Sequence, residues 1–299
     1  MTISKYPNLS FLIFLIFSLS SCENFFNTTL DLDPPPYDKS LVIDCVAHTG
    51  QDTVEVRISR NAGILENVDV YELALNDAEV FLTINGSKIV GENFDPVFSS
   101  QSRNNYRFVL PKSLNTNDKV VIEAMHKDFV NASSTLHILP KNEVLSATFN
   151  ENGGLDRDGD ERSKVTVKFK DEVGKNFYAV QILAPDWNSQ SGPTYLTSLD
   201  PSAVESFEST SMLLSDDGYD GKEKIIEFQI YRLPKEWVEG KMKLVWYNIS
   251  EDYYKYSRSL LAYKNTVDNP FGTPVPVTTN INGGTGIFAI HNYQIIDVK

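Results

Sequence analysis

Asp156-Arg157-Asp158-Gly159-Asp160 sets three carboxylates at alternate positions of a polar stretch. Calcium takes six to eight oxygen ligands, and acidic runs of this kind are a common start to a site for it. Asp156, Asp158 and Asp160 are therefore the candidate metal ligands, with Ca²⁺ as the ion. The EF-hand pattern also needs Gly at its sixth position and Glu at its twelfth, where this chain has Glu161 and Val167. A solvated acidic turn is the competing reading, and otherwise no cofactor is expected. Asp216-Asp217-Gly218-Tyr219-Asp220-Gly221 has a similar composition and reads as a turn before a strand. The four histidines, His48, His126, His137 and His291, lack the close spacing of a zinc pair. Neither a Gly-x-Ser-x-Gly elbow nor a His-Glu-x-x-His helix occurs. Carboxylate pairs for glycoside hydrolysis need closeness in space, which spacing does not reveal. Trp187 lies between Asp186 and Asn188 in a polar stretch and is the candidate ligand-stacking ring. Trp246 sits in an apolar run and reads as core, and Trp237 is a weaker candidate.

A different chemistry is written at Leu19-Ser20-Ser21-Cys22. A polar start carrying Lys5 leads into the apolar run from Phe11 to Phe17, and small residues then precede the cysteine. That is the order of a secretory signal. The apolar run is too short to span a bilayer, which takes about 20 residues. An aliphatic residue, two small residues and Cys resemble a bacterial lipobox. Residues 1–21 are thus expected to be a lipoprotein signal, and Cys22 the lipidated residue that meets outer-membrane lipid. Each buried CH₂ of an acyl chain contributes about 0.8 kcal/mol, and stable anchoring takes two chains. Cys45, inside the apolar run Leu41 to Ala47, then has no partner cysteine and reads as a buried, inert thiol.

Forty acidic side chains against 27 basic ones give a formal net charge of −13, and loss of the signal with its one Lys takes this to −14. Such a surface repels polyanions, so nucleic-acid partners are excluded. The apolar and aromatic content is ample for a packed core.

The elements that must carry these residues read as strands. Residues 22–37 form a tether, with Pro34-Pro35-Pro36 favouring extended polyproline geometry. Residues 38–140 hold about seven short strands, with Val54, Val56 and Ile58 alternating and Asn85-Gly86 marking a hairpin. That pattern favours an immunoglobulin-like β-sandwich, in which residues 61–75 make a long loop of a kind often used for binding. Residues 141–299 form a larger β-rich domain with one helix. Its stretch from Pro185 to Ser211 reads as a loop. In the helix, Ser250 caps the start, Glu251 and Asp252 fill the first turn, and Tyr253, Tyr256, Leu260 and Tyr263 form one face. The fold class is mainly β.

The order of short motifs resembles a family of Bacteroidota lipoproteins catalogued as domain of unknown function 4249. The matching pieces are the lipobox, Leu41-Val42-Ile43-Asp44, Val54 to Arg60, Asp77 to Val80, Asp216-Asp217 to Gly221 and Tyr253-Tyr254-Lys255-Tyr256. The last run comprises Asn269, Pro270, Phe271, Pro274, Asn280, Gly283, Gly284, Gly286 and Phe288. Cys45 stands where relatives often have Gly. The resemblance assigns no activity. It implies an outer-membrane lipoprotein, on the cell surface or the periplasmic face, working as a non-enzymatic accessory or substrate-capture subunit beside a TonB-dependent barrel. An independent glycan binder or adhesin is the alternative, and a hydrolase a more distant one.

Overall fold

The computed structural model describes residues 37–299, except 64–65, 67, 70–71, 95–103, 157, 186–189, 268–272 and 274. The chain divides into two units, residues 1–37 with 63–66 and residues 38–62 with 67–299. Every element named below belongs to the second. The signal, Cys22, Trp187, Asn269, Pro270, Phe271 and Pro274 lie outside the described residues.

Eight strands fill the N-terminal part: β1 (Leu41–His48), β2 (Thr53–Arg60), β3 (Glu79–Ile84), β4 (Ser87–Val90), β5 (Glu92–Asn93), β6 (Tyr106–Val109), β7 (Lys119–Met125) and β8 (Ala132–His137). Next come β9 (Glu143–Leu155), β10 (Glu161–Lys170), β11 (Phe177–Pro185), β12 (Ser191–Pro193), β13 (Leu196–Thr197), β14 (Ala203–Glu205), β15 (Met212–Ser215) and β16 (Glu223–Tyr231). The short helix α1 (Lys235–Val238), β17 (Lys243–Ile249), the long helix α2 (Glu251–Val267) and β18 (Gly284–Asp297) complete the order. The fold is mainly β. No described helix is long and apolar enough to cross a membrane.

Alternation dictates the first core. Val54, Val56 and Ile58 of β2 are fully buried and alternate with half-buried Thr53, Glu55 and Arg57. With Leu41, Ile43 and Cys45 of β1 they meet Val80, Leu82, Val120 and Ile122 from the facing sheet. Asn85 and Gly86 both take positive φ, +49° and +89°, and join β3 to β4 in a two-residue hairpin. One sheet runs β1-β2-β6-β5 and the facing one β4-β3-β7-β8.

The sheet does not stop at β1. Its full path is β14-β15-β11-β17-β18-β1-β2-β6-β5, with β12 beside β11. The seam is β18, whose first half pairs parallel with β1 and whose second half pairs antiparallel with β17. A second four-stranded sheet, β13-β16-β10-β9, covers the C-terminal end over a core that holds Phe169, Tyr178, Phe228 and Trp246. Phe288 and Ile290 of β18 enter the first core, and Ile296 packs against the second. These positions share one side of the strand, so both small sheets lie on the same face of the large one. The change of core falls near residue 140, but the large sheet runs unbroken across that point.

Helix α2 covers the opposite face, with Tyr253 and Tyr254 against Phe177, Ile249, Ile287 and Ala289. Ser250 Oγ accepts the Tyr253 amide at 3.2 Å, as an N-cap should. The buried stripe is rotated from the sequence expectation, since Tyr253, Tyr254 and Ser257 are buried while Tyr263 is exposed. The cause is polar: the Ser257 hydroxyl lies 3.1 Å from that of Ser206 and accepts the Phe207 amide, which turns it inward. The stretch from Pro185 to Ser211 also differs from a plain loop. It contributes β12, β13 and β14, two or three residues each, held by neighbouring strands.

Candidate functional site

The glycines of the C-terminal motif act on the backbone. Gly286 has φ +106°, and a Cβ there would stand 2.1 Å from the Ile43 carbonyl oxygen. At Gly284 a Cβ would meet the Leu41 oxygen at 2.5 Å, and at Gly283 the Asn131 oxygen at 2.2 Å. Only glycine at 284 and 286 lets β18 lie this close to β1, and only glycine at 283 lets the chain before it pass the Asn131 carbonyl. Asn280 completes the fit. Its side chain donates to the Phe288 carbonyl at 2.8 Å and accepts the Phe288 amide at 2.9 Å, and Phe288 fills the first core.

The register that follows sets His48 beside His291. Their rings meet edge to face with centroids 5.9 Å apart. On the helix side of the sheet these rings line a pocket of about 240 Å³. Strand β1 supplies Val46 and His48, β11 supplies Ala179 and Gln181, and β17 supplies Tyr247. Tyr253 comes from α2, and Glu208 and Ser211 from the turn before β15. The Tyr247 hydroxyl donates to Gln181 Oε1 at 3.1 Å. The Tyr253 and His291 rings make a T-shaped contact with centroids 4.4 Å apart.

His291 is the anomaly. It is only 4% exposed, and neither ring nitrogen has a hydrogen-bond partner among the described residues. A buried polar group without a partner costs about 1–3 kcal/mol. Burial, with the neighbouring His48, pulls its pKa down to about 3, and burial lowers that of His48 as well. Both imidazoles are therefore neutral at pH 7, each presenting one donor and one acceptor. Glu208 is exposed overall, yet desolvation at the rim pushes its carboxyl upward. Desolvation also raises Tyr247 to about 12 and Tyr253 further still, so both phenols stay protonated. The pocket is thus lined by neutral polar groups and aromatic rings, with the His291 nitrogens themselves sealed beneath its surface.

The acidic turn is closed on itself. Asp156 accepts the amides of Asp158 and Asp160, each at 2.9 Å, and the Arg162 guanidinium at 2.7 and 2.5 Å. Those contacts hold its carboxyl below the usual range, while Asp158 and Asp160 face solvent. Asp156 and Asp158 line a separate groove of about 400 Å³ with Arg162, Tyr195 and Gln229. Among the described residues the carboxylates that converge within 4.8 Å are instead Asp171, Asp216 and Asp220. They serve as acceptors: Asp171 for the Tyr178 hydroxyl and Gly221 amide, Asp216 for the Asn176 amide, Asp220 for the Gly174 amide. The other tryptophans divide as expected, Trp246 fully buried and Trp237 half-exposed on α1. Cys45 is buried in the first core, where burial and the neighbouring Asp44 push its thiol pKa up.

None of the residues singled out from spacing alone falls in the pocket, apart from Tyr253 on its helix. His48 and His291 stand 243 positions apart and carry no local signal. A search of curated proteins returns no match. The profile described as domain of unknown function (DUF4249) matches residues 27–295, and the chain belongs to that family.

Proposed function

We propose that this chain is a non-enzymatic, lipid-anchored binding protein of the bacterial outer membrane, working as an accessory or substrate-capture subunit of a TonB-dependent transporter. The observation that carries the capture role is the helix-side pocket of about 240 Å³, walled by aromatic rings and neutral polar side chains. The lipobox at Cys22 supports the anchor, and the family's association supports the transporter. The chemistry of the pocket favours binding over turnover. Its histidines are held neutral, its one carboxylate sits at the rim, and the Ser211 hydroxyl donates to the Glu208 backbone carbonyl at 3.3 Å. Cys45, the one described cysteine, is in a core on the other side of the sheet. In the N-terminal part the orders β1-β2-β6-β5 and β4-β3-β7-β8 match those of an immunoglobulin sandwich with one added edge strand, which supports that reading of residues 38–140.

The test is purification of the lipidated chain from native outer membrane in gentle detergent, followed by mass spectrometry. Co-purification of one TonB-dependent barrel in near-equal amount is the expected result. Recovery of the chain alone from intact membrane would overturn the accessory role and favour the independent binding module, which the same pocket supports.

A further inference from the structure

We infer that the groove between the β9–β10 turn and strands β13 and β14 takes a small organic cation with an apolar stem, an amine or a guanidine, held by the carboxylates of Asp158 and Glu205. This site is separate from the helix-side pocket and needs no barrel partner, so it goes beyond the capture reading.

The groove holds about 400 Å³, within the 300–1,000 Å³ typical of small-molecule sites. Its walls come from both layers: β13 and the turn after β9 belong to the small sheet, β14 and β15 to the large one. Asp158 stands on the first wall and Glu205 on the second, and both residues are exposed. Neither carboxylate has an ion pair or hydrogen bond among the described residues. The donors of the same lining are already taken. Arg162 gives its Nε and one Nη to Asp156 at 2.7 and 2.5 Å. The Ser198 hydroxyl donates to the Glu227 carbonyl at 2.6 Å, and Gln229 Nε2 is directed at the Gly153 and Leu155 carbonyls, 3.5 Å from each. Tyr195 and Thr197 hydroxyls act either way. What stays open is rich in acceptors, with three carboxylates against one guanidinium that is already paired.

That complement selects the ligand. An ammonium group brings three donors, a guanidinium five, and neither brings an acceptor. A carboxylate or phosphate would face the open acids with no free cation to meet it. A neutral polyol would place its hydroxyl protons but find few donors for its lone pairs. A bare metal ion needs converging ligands, and among the described residues no three carboxylates of this groove come within 4.8 Å of one another. The walls between the acids are apolar. Leu199 is 72% exposed and Tyr195 39% exposed, with Ala203 and Met212 beside them. An alkyl stem laid along Leu199 and Tyr195 removes apolar surface from water on both sides of the contact. The acidic chain draws cations to its surface generally, and the apolar wall gives this site its preference for a cation that carries a stem.

The experiment uses the full-length chain in non-ionic detergent at low ionic strength. Ethylenediamine, cadaverine, agmatine and spermidine are each titrated to about 50 mM, a range that covers millimolar dissociation constants, with calorimetry and saturation-transfer NMR as readouts. Calcium chloride, glucose and sodium acetate are titrated in parallel. At least one of the longer cations is expected to bind saturably, and cadaverine about tenfold or more tighter than ethylenediamine, whose stem is three CH₂ shorter. Asp158→Asn and Glu205→Gln should each weaken that binding about three- to fivefold, and the two together about tenfold or more. Glu92→Gln removes an exposed acid from β5, at the far edge of the large sheet, and should leave it unchanged. All three replaced side chains are exposed, so the variants keep the fold. Absence of saturable binding by every cation, no gain from the longer stem, binding unchanged in the double variant, an equal loss in Glu92→Gln, or binding by calcium, glucose or acetate alone would overturn the inference. Recovery or loss of a barrel partner does not bear on it.

Discussion

At the scale of single residues, His291 is held at a cost, because both its ring nitrogens are buried without a partner among the described residues. Replacing an unmatched buried polar side chain with an apolar one of similar shape is neutral or stabilising. His291→Phe is expected to raise stability at pH 7 by about 1–2 kcal/mol, read as a shift of the denaturant midpoint. A loss of stability would mean that the ring nitrogens have partners in solution. The pH dependence carries a sign. The folded pKa of about 3 lies below the ordinary imidazole value, so the unfolded chain binds the proton first. Stability from this group is complete above about pH 6.5 and falls as pH drops toward 3. At about 1.4 kcal/mol per unit, the wild type should lose about 2 kcal/mol more than His291→Phe between pH 7 and 5. His48, Glu208, Asp44 and Arg57 lie near and titrate or carry charge in both proteins, so the difference reports His291 together with its coupling to His48. Parallel pH profiles for the two proteins would contradict the buried, neutral assignment.

At the scale of elements, β18 is the strand on which the others depend. Gly286→Ala must fit a Cβ 2.1 Å from the Ile43 oxygen at φ +106°. It should cost roughly 3 kcal/mol or more in an equilibrium unfolding measurement. Gly50→Ala is the matched control: its φ is +83°, but no atom lies within 4 Å of the added Cβ. It should cost about 1 kcal/mol. Comparable losses at the two positions would show that β18 does not depend on the close approach. This contrast also separates what was legible from what was not. Alternation in β2 and the Asn85-Gly86 turn act over a few neighbours, so their burial and geometry could be read directly. The run Asn280 to Phe288 was visible as a motif, while its role, admitting one strand beside another, depends on residues about 240 positions away. The pocket shares that difficulty, because parallel pairing rather than spacing sets His48 against His291. Strands of two or three residues between Pro185 and Ser211 carry no period to detect. The helix stripe was displaced because Ser257, polar in isolation, finds polar partners in Ser206 and Phe207.

At the scale of the whole molecule, the boundary drawn at residue 140 divides the cores but not the sheet. Residues 38–140 contain one complete pair of facing sheets except for what β18 and the segment before it give them: a parallel partner for the whole length of β1, and Ile281, Phe288 and Ile290 in the core. Burial of each such side chain is worth about 1.5–3 kcal/mol. The three together, with the β1 ladder, match much of the stability of a domain of this size, about 5–15 kcal/mol. The bridge between Ser133 and Asn282 ties the same segment to the facing sheet as well. An isolated 38–140 fragment should therefore fail to fold. It should give collapsed amide dispersion in NMR and no cooperative thermal transition. A peptide spanning residues 279–292, added in trans or fused to the fragment, should restore both, since it carries Asn280, the three glycines and Phe288. A fragment that melts cooperatively by itself would make residues 38–140 an independent domain and reduce β18 to a strand added at its edge. Failure of the fragment with rescue by the peptide would make the chain's end an integral part of its first sandwich, and the two parts one folding unit.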